Sequence, residues 1–117
     1  MANQINSIIL EGNLVRDMEV VKVSDTFRVG KFTIAVSRTY RKADDTEEEE
    51  VSYFDIECFG KMADVLENKL KKGREIRVVG RLKQERWKSD KGTLSAKVYI
   101  VAEHVEVKPQ KKEGVEK

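Results

Sequence analysis

At 117 residues and 13.5 kDa the chain has room for one domain with a core and none for a second. Its longest unbroken apolar run, Val98 to Ala102, is too short for a membrane-spanning helix, and one cysteine with one histidine excludes an internal disulfide, a multi-cysteine zinc site and most metal or acid/base arrangements. The net charge of +2 is unevenly spread: residues 44–50 hold six of the 21 acids, while residues 68–97 carry eleven Lys and Arg against Glu75, Glu85 and Asp90. Such a basic stretch attracts polyanions, although alone it reads equally well as a solvated surface.

Val and Ile number 22 against 12 Leu and Ala, which favours strands. Ile5 to Leu14 is a first predicted strand, followed at Arg16-Asp17 by a turn or bulge signal. Phe27 to Tyr40 is a second, with Phe32, Ile34 and Val36 alternating with Lys31, Thr33 and Ala35. The acidic stretch 43–50 has nothing to bury and is expected to be a loop. Val51 to Phe59 is a third strand. Met62, Val65, Leu66 and Leu70 then fall on one helical stripe, stopped at Gly73. Glu75 to Lys83 is a fourth strand with Ile76, Val78 and Leu82 inward, and Ser89-Asp90-Lys91-Gly92 a turn. Leu94, Ala96, Val98, Ile100 and Ala102 form the inward face of a fifth. Three strands, one short helix and two strands is the element order of an OB-fold. The expectation is an all-β, five-stranded Greek-key barrel over residues 1–107, with a single α-helix between strands three and four and a frayed tail at 108–117.

Side chains alternate along a strand, so Tyr53, Asp55, Glu57 and Phe59 share one face and Phe54, Ile56 and Cys58 the other. The second set is the core face. The first puts two large aromatics among charges, where either a covering subunit or loop, a bulge, or a ligand accounts for them. Tyr40, within Arg38-Thr39-Tyr40-Arg41-Lys42, and Trp87, beside Arg86 and Lys88, are two more aromatics in basic surroundings. For Trp87 the alternative role is a cap on the barrel end or a subunit contact. Unpaired bases stack on such rings for about 1–3 kcal/mol each while Lys and Arg follow the phosphates. Duplex DNA hides its base faces, so exposed rings imply a single-stranded partner. The seven glycines form no Walker loop or dinucleotide fingerprint, and no cofactor or metal is expected. Asp55 and Glu57 without further ligands read as ordinary exposed strand residues, His104 as a structural or surface residue, and Cys58 as a small core hydrophobe.

At these residues the chain resembles the bacterial-type single-stranded DNA-binding protein over roughly residues 3–107. The match runs through Asn6, Ile9-Leu10-Glu11-Gly12-Asn13-Leu14, Asp17-Met18-Glu19, Phe32-Thr33-Ile34-Ala35-Val36 and Tyr40. It continues in Tyr53, Cys58-Phe59-Gly60-Lys61-Met62-Ala63, Leu70-Lys71-Lys72-Gly73, Val79-Gly80-Arg81-Leu82 and Arg86-Trp87. The resemblance implies a non-enzymatic OB-fold protomer, assembled as a homotetramer (a dimer being the alternative), that binds single-stranded DNA in replication, recombination and repair. It implies base stacking on Tyr40, Tyr53, Phe59 and Trp87, with Tyr40 and Tyr53 standing where the best-known members carry Trp. It implies phosphate contacts from Lys61, Lys72 and Arg86, and a cytoplasmic, nucleoid-associated location with no membrane partner. The family's tail ending in acidic residues and Pro-Phe recruits partner enzymes; this sequence ends Glu113-Gly114-Val115-Glu116-Lys117, so recruitment through such a tip is not expected. The other readings are an OB-fold interaction or RNA-binding module of the primosomal type and, more remotely, a nuclease holding a metal on Asp55 and Glu57.

Overall fold

The computed structural model describes residues 3–109; the C-terminal residues expected to fray lie, from 110 on, outside the described residues. Six strands, β1 (Ile8–Leu14), β2 (Glu19–Lys22), β3 (Arg28–Arg41), β4 (Glu47–Phe59), β5 (Glu75–Lys88) and β6 (Leu94–Val107), surround one short helix, α1 (Lys61–Leu66), between β4 and β5. The strands lie in the order β1-β5-β6-β4-β3-β2, and pairing of β1 with β3 at Asn13–Ala35 and Leu14–Ile34 closes five of them into a barrel. That is the expected OB-fold. The sixth strand, β2, was not expected. β1 and β2 run along the same partner, but the four residues between Leu14 and Glu19 face only the two between Ile34 and Lys31, so the chain bulges at Val15–Met18. The bulge turns Met18 into the core, where its N–H donates to the Leu70 carbonyl at 2.9 Å.

The core is the inner face of the barrel, with Ile34, Ile56, Cys58, Leu70, Ile76, Val78 and Ile100 its most deeply buried side chains. Burial pushes the Cys58 thiol up to about 11, so it packs as a neutral hydrophobe. Beneath it the strands pack so closely that a Cβ on Gly30 would lie 2.6 Å from Met18 Sδ and 2.9 Å from Cys58 Sγ. α1 plugs one barrel end with Ala63 and Leu66. It is shorter than the predicted stripe, and Val65 is exposed where burial was expected. Gly73 does end this segment in the left-handed region, at φ 88. No helix among the described residues is long and apolar enough to cross a membrane.

Two long hairpins overrun the barrel and correct three expectations. Glu47–Glu50 are not loop: they extend β4 and pair directly with Arg38–Arg41, leaving only residues 42–46 as the turn. Arg38 and Arg41 stand opposite Glu50 and Glu47, and Lys42 reaches Glu48, which makes this pairing favourable despite the absence of anything to bury. Likewise β5 and β6 continue to Lys88 and Leu94, beyond the point where β6 meets β4 at Ile56–Ile100 and Glu57–Val101. Past that point no third strand among the described residues covers them, so Leu94, Ala96 and Val98, with Leu82 at the junction itself, are exposed although their parity is the core parity. Lys108, the first residue of the expected tail, is tied down: its N–H donates to Glu75 O at 3.0 Å, and its carbonyl accepts from Arg74 Nε at 3.0 Å.

Candidate nucleic-acid interface

β3 and β4 pair without a register shift from Val29–Phe59 to Arg41–Glu47, so strand parity holds along the whole ribbon. Tyr53, Asp55, Glu57 and Phe59 therefore point out of the barrel beside Ala35, Thr33, Lys31 and Val29. Tyr53 is 66% exposed in the middle of a strand. Phe59 is half-buried and lies against Phe27, with ring centroids 6.3 Å apart and planes 12° from parallel. The same outer face continues across β6, because Glu57 pairs with Val101 in parallel, and then onto β5 through the pairs Val101–Arg81, Tyr99–Lys83, Lys97–Glu85 and Ser95–Trp87. By register, Trp87, 48% exposed, thus belongs to the face that carries Tyr53 and Phe59.

The cations of this face come from three strands. A polar groove is lined by Arg16, Lys31, Thr33, Asp55, Glu57 and Lys97. Within it the Asp55 carboxylate is already committed: Thr33 Oγ1 donates to Oδ1 at 2.8 Å and Lys97 Nζ stands 3.8 Å from Oδ2. Lys83 flanks Tyr99 on β5. Next to Tyr53 lies an apolar hollow, with Leu82, Val98 and Tyr99 as its other side. Arg16, Lys31, Lys83 and Lys97 were not singled out in the sequence; the parity that places Tyr53 outward places three of them on the same face, and Arg16 follows from the bulge.

The remaining expected residues are distributed differently. Lys61 is exposed two residues after Phe59, at the start of α1. Lys72 is exposed beside the break between β1 and β2, its backbone N–H donating to Asp17 Oδ1 at 2.8 Å. Arg86 alternates with Trp87 and so projects from the opposite face of β5, with Leu82. Tyr40 is half-buried, pairs with Glu48, and shares its face of β3 with Ile34 and Val36, opposite to that of Tyr53. The structure brings Tyr53, Phe59 and Trp87 onto one face and leaves Tyr40 and Arg86 on the inner faces of the two projecting hairpins.

Every cation of the Tyr40 hairpin is paired with a carboxylate of the same hairpin, whose six acids outnumber its three Lys and Arg. Arg38 reaches Glu50 at 3.3 Å, Arg41 reaches Asp45 at 3.3 Å and Glu47 at 3.6 Å, and Lys42 reaches Glu48 at 3.2 Å. At its tip Asp44 accepts from the Thr46 hydroxyl at 2.7 Å and the Thr46 N–H at 3.1 Å, which holds its carboxyl below the usual aspartate value.

Residues 5–108 match the Single-strand binding protein family. The single-stranded DNA-binding protein of Wolinella succinogenes is 34% identical over 102 residues, 87% of this chain and 63% of the relative. That of Treponema pallidum is 36% identical over 103 residues, 88% of this chain and 57% of the relative, so the chain spans about three-fifths of the length of these relatives. Among solved structures, the Plasmodium falciparum SSB in complex with ssDNA superposes with a TM-score of 0.83 at 16% identity, over 93% of this chain and 99% of that one. A deletion mutant of the Thermus aquaticus single-stranded DNA binding protein superposes with a TM-score of 0.81 at 23% identity, over 93% of this chain and 53% of that one. At these identities the two likenesses speak for the fold. With the family match covering almost all of the barrel and both hairpins, the chain belongs to the single-strand binding protein family.

Proposed function

We propose that this chain binds single-stranded DNA without sequence preference and without catalysis, covering exposed strands during replication, recombination and repair in the cytoplasm, at the nucleoid. Bases stack on Tyr53, Phe59 and Trp87, and on Tyr40 where a strand crosses the β3–β4 hairpin. Phosphates meet Lys61, Lys72 and Arg86, together with Lys31, Lys83 and Lys97 beside the rings. The observation that carries this reading is Tyr53: a ring 66% exposed at mid-strand, on a face shared with Phe59 and Trp87 and lined by lysines. An isolated exposed aromatic needs no ligand; three on one face with lysines and arginines among its charges suit unpaired bases, which stack regardless of sequence.

Trp87 is the sole tryptophan, so fluorescence excited at the red edge, where the three tyrosines do not absorb, reports on it alone. Titration with oligo-dT should quench that signal, with an affinity that falls steeply as salt rises, while a duplex of equal length binds far more weakly. Equal affinity for duplex and single strand removes the reading. An RNA oligomer of matched length, run in competition, separates it from an RNA-binding module.

The assembly we propose is a homotetramer. Ile9, 66% exposed, lies on β1 directly opposite Val79 of β5, and His104 of β6 lies opposite Val79, a partly apolar patch of the outer surface eight residues along β5 from Trp87. Native mass spectrometry with Ile9→Lys as control measures it: the wild type should run as a tetramer and the variant as a smaller species.

A further inference from the structure

Phe27, the first residue of the second predicted strand, is not among the candidate site residues of the sequence; in the structure it lies one residue before β3. We infer that Phe27 is a further base-stacking ring, extending the path of single-stranded DNA by one nucleobase beyond Phe59; this rests on the reading of the outer face given above. Its ring is 41% exposed and parallel to Phe59 within 12° at 6.3 Å. Parallel rings at that centroid distance are an offset pair, in which each ring keeps part of one face toward solvent. Neither ring belongs to the core cluster, so the pair is not an extension of the barrel interior.

The corner that holds Phe27 is built from backbone. Its carbonyl accepts from Val23 N–H at 2.9 Å and Ser24 N–H at 3.2 Å, and its own N–H donates to Ser24 O at 3.4 Å. One residue on, the Arg28 carbonyl accepts from Gly60 N–H at 2.9 Å, which joins the end of β4 to the start of β3. The Arg28 guanidinium then bridges Asp64 of α1 at 3.1 Å and Glu67 at 2.8 Å. Gly60 makes the sharp exit from Phe59 possible at φ 65, a conformation other residues adopt at a cost. A residue held by its backbone, with its ring resting on Phe59 and part of its surface open to water, is preorganised for a ligand, since less entropy remains to be lost when a base docks. Lys61, exposed next to Gly60, supplies a cation for the phosphate of that nucleotide.

The competing role for Phe27 is a brace that only orients Phe59. A double-mutant cycle separates the two. Affinity for a labelled oligo-dT is measured by anisotropy for the wild type, Phe27→Ala, Phe59→Ala and the double variant, with urea midpoints showing that each is folded. Stacking predicts that Phe27→Ala weakens binding about five- to tenfold both with and without Phe59, the low end of what one base–ring stack contributes. It also predicts that bromodeoxyuridine oligomers cross-link under ultraviolet light to the peptide containing Phe27. An effect that vanishes in the Phe59→Ala background, or no effect at all while the wild type binds normally, overturns this inference alone. A wild type that does not bind overturns the reading of the face, and this inference with it.

Discussion

Arg38 Nη1 lies 3.3 Å from Glu50 Oε1 straight across the β3–β4 hairpin, with the Arg38 guanidinium carbon 5.2 Å from the centroid of the Tyr40 ring. The carboxylate thus holds the cation that lies beside the Tyr40 ring. Glu47 and Glu48 do the same for Arg41 and Lys42. On the proposed function, a strand whose phosphates met these cations would have to displace three carboxylates.

Replacing Glu47, Glu48 and Glu50 together by Gln should therefore tighten oligo-dT binding and steepen its salt dependence. Freeing three cations for phosphate adds up to about 2 to the magnitude of the log–log salt slope, at about 0.7 per neutralised charge on a single strand. Exposed pairs of this kind contribute only about 0–1 kcal/mol each to folding, so the urea midpoint should move little. Unchanged affinity and slope would mean that DNA does not use the arm.

Tyr53 offers the reverse test, a gain on the barrel face. Its ring is largely free, and a Trp there has a larger stacking surface without a core to disturb. Tyr53→Trp should tighten oligo-dT binding about threefold, within the range of one stacking contact, and add a second quenchable fluorophore. Weaker binding, or a new signal that DNA does not quench, would place the strand elsewhere.

How far these features were legible in the sequence depends on whether strand parity was enough. For Tyr53 and Phe59 it was, because β4 pairs with β3 through an unbroken register. For Arg86 parity opposes the assignment: adjacent residues of a strand point to opposite sides, and Trp87 takes the outer one. Leu82 and Val98 have core parity but no core, since burial depends on where the barrel ends, and nothing local in β5 or β6 marks that point. β2, reading Glu-Val-Val-Lys, is too short and too polar to announce itself, and exists because β3 offers it an edge. Phe27 opens the second predicted strand with the parity of Lys31 and Thr33, but only the folded corner sets it against Phe59.

Closure of the barrel makes its own prediction. β1 crosses β3 where Gly12 has no side chain, and a Cβ there would lie 2.5 Å from the Ala35 carbonyl oxygen and 3.2 Å from Val36 Cγ2. Backbone cannot yield as a flexible side chain does. Gly12→Ala should lower stability by about 1–3 kcal/mol, as overpacking does, read from urea unfolding. A neutral result would show that β1 and β3 can part locally at no cost.

The acid limb of stability should trace to Glu11. Its carboxylate accepts from Arg77 Nε at 2.8 Å and stands 3.4 Å from Lys108 Nζ, and chiefly the Arg77 hydrogen bond, then the Lys108 charge, hold its pKa below the ordinary value of 4.5. The same contact raises Arg77, which stays charged throughout. A carboxyl whose folded-state pKa is depressed stabilises the fold above its unfolded value, and that stability is lost as pH falls below 4.5 through the folded pKa. Because Arg77 spans from β1 to Glu106 of β6 at 3.2 Å, protonation of Glu11 loosens three strands at one point. Glu11→Gln should lower the urea midpoint at pH 7 and flatten its dependence between pH 5 and 3, where the wild type falls further. An unchanged slope in that window would mean that other carboxylates carry the acid sensitivity, and that this exposed cluster acts only through local geometry.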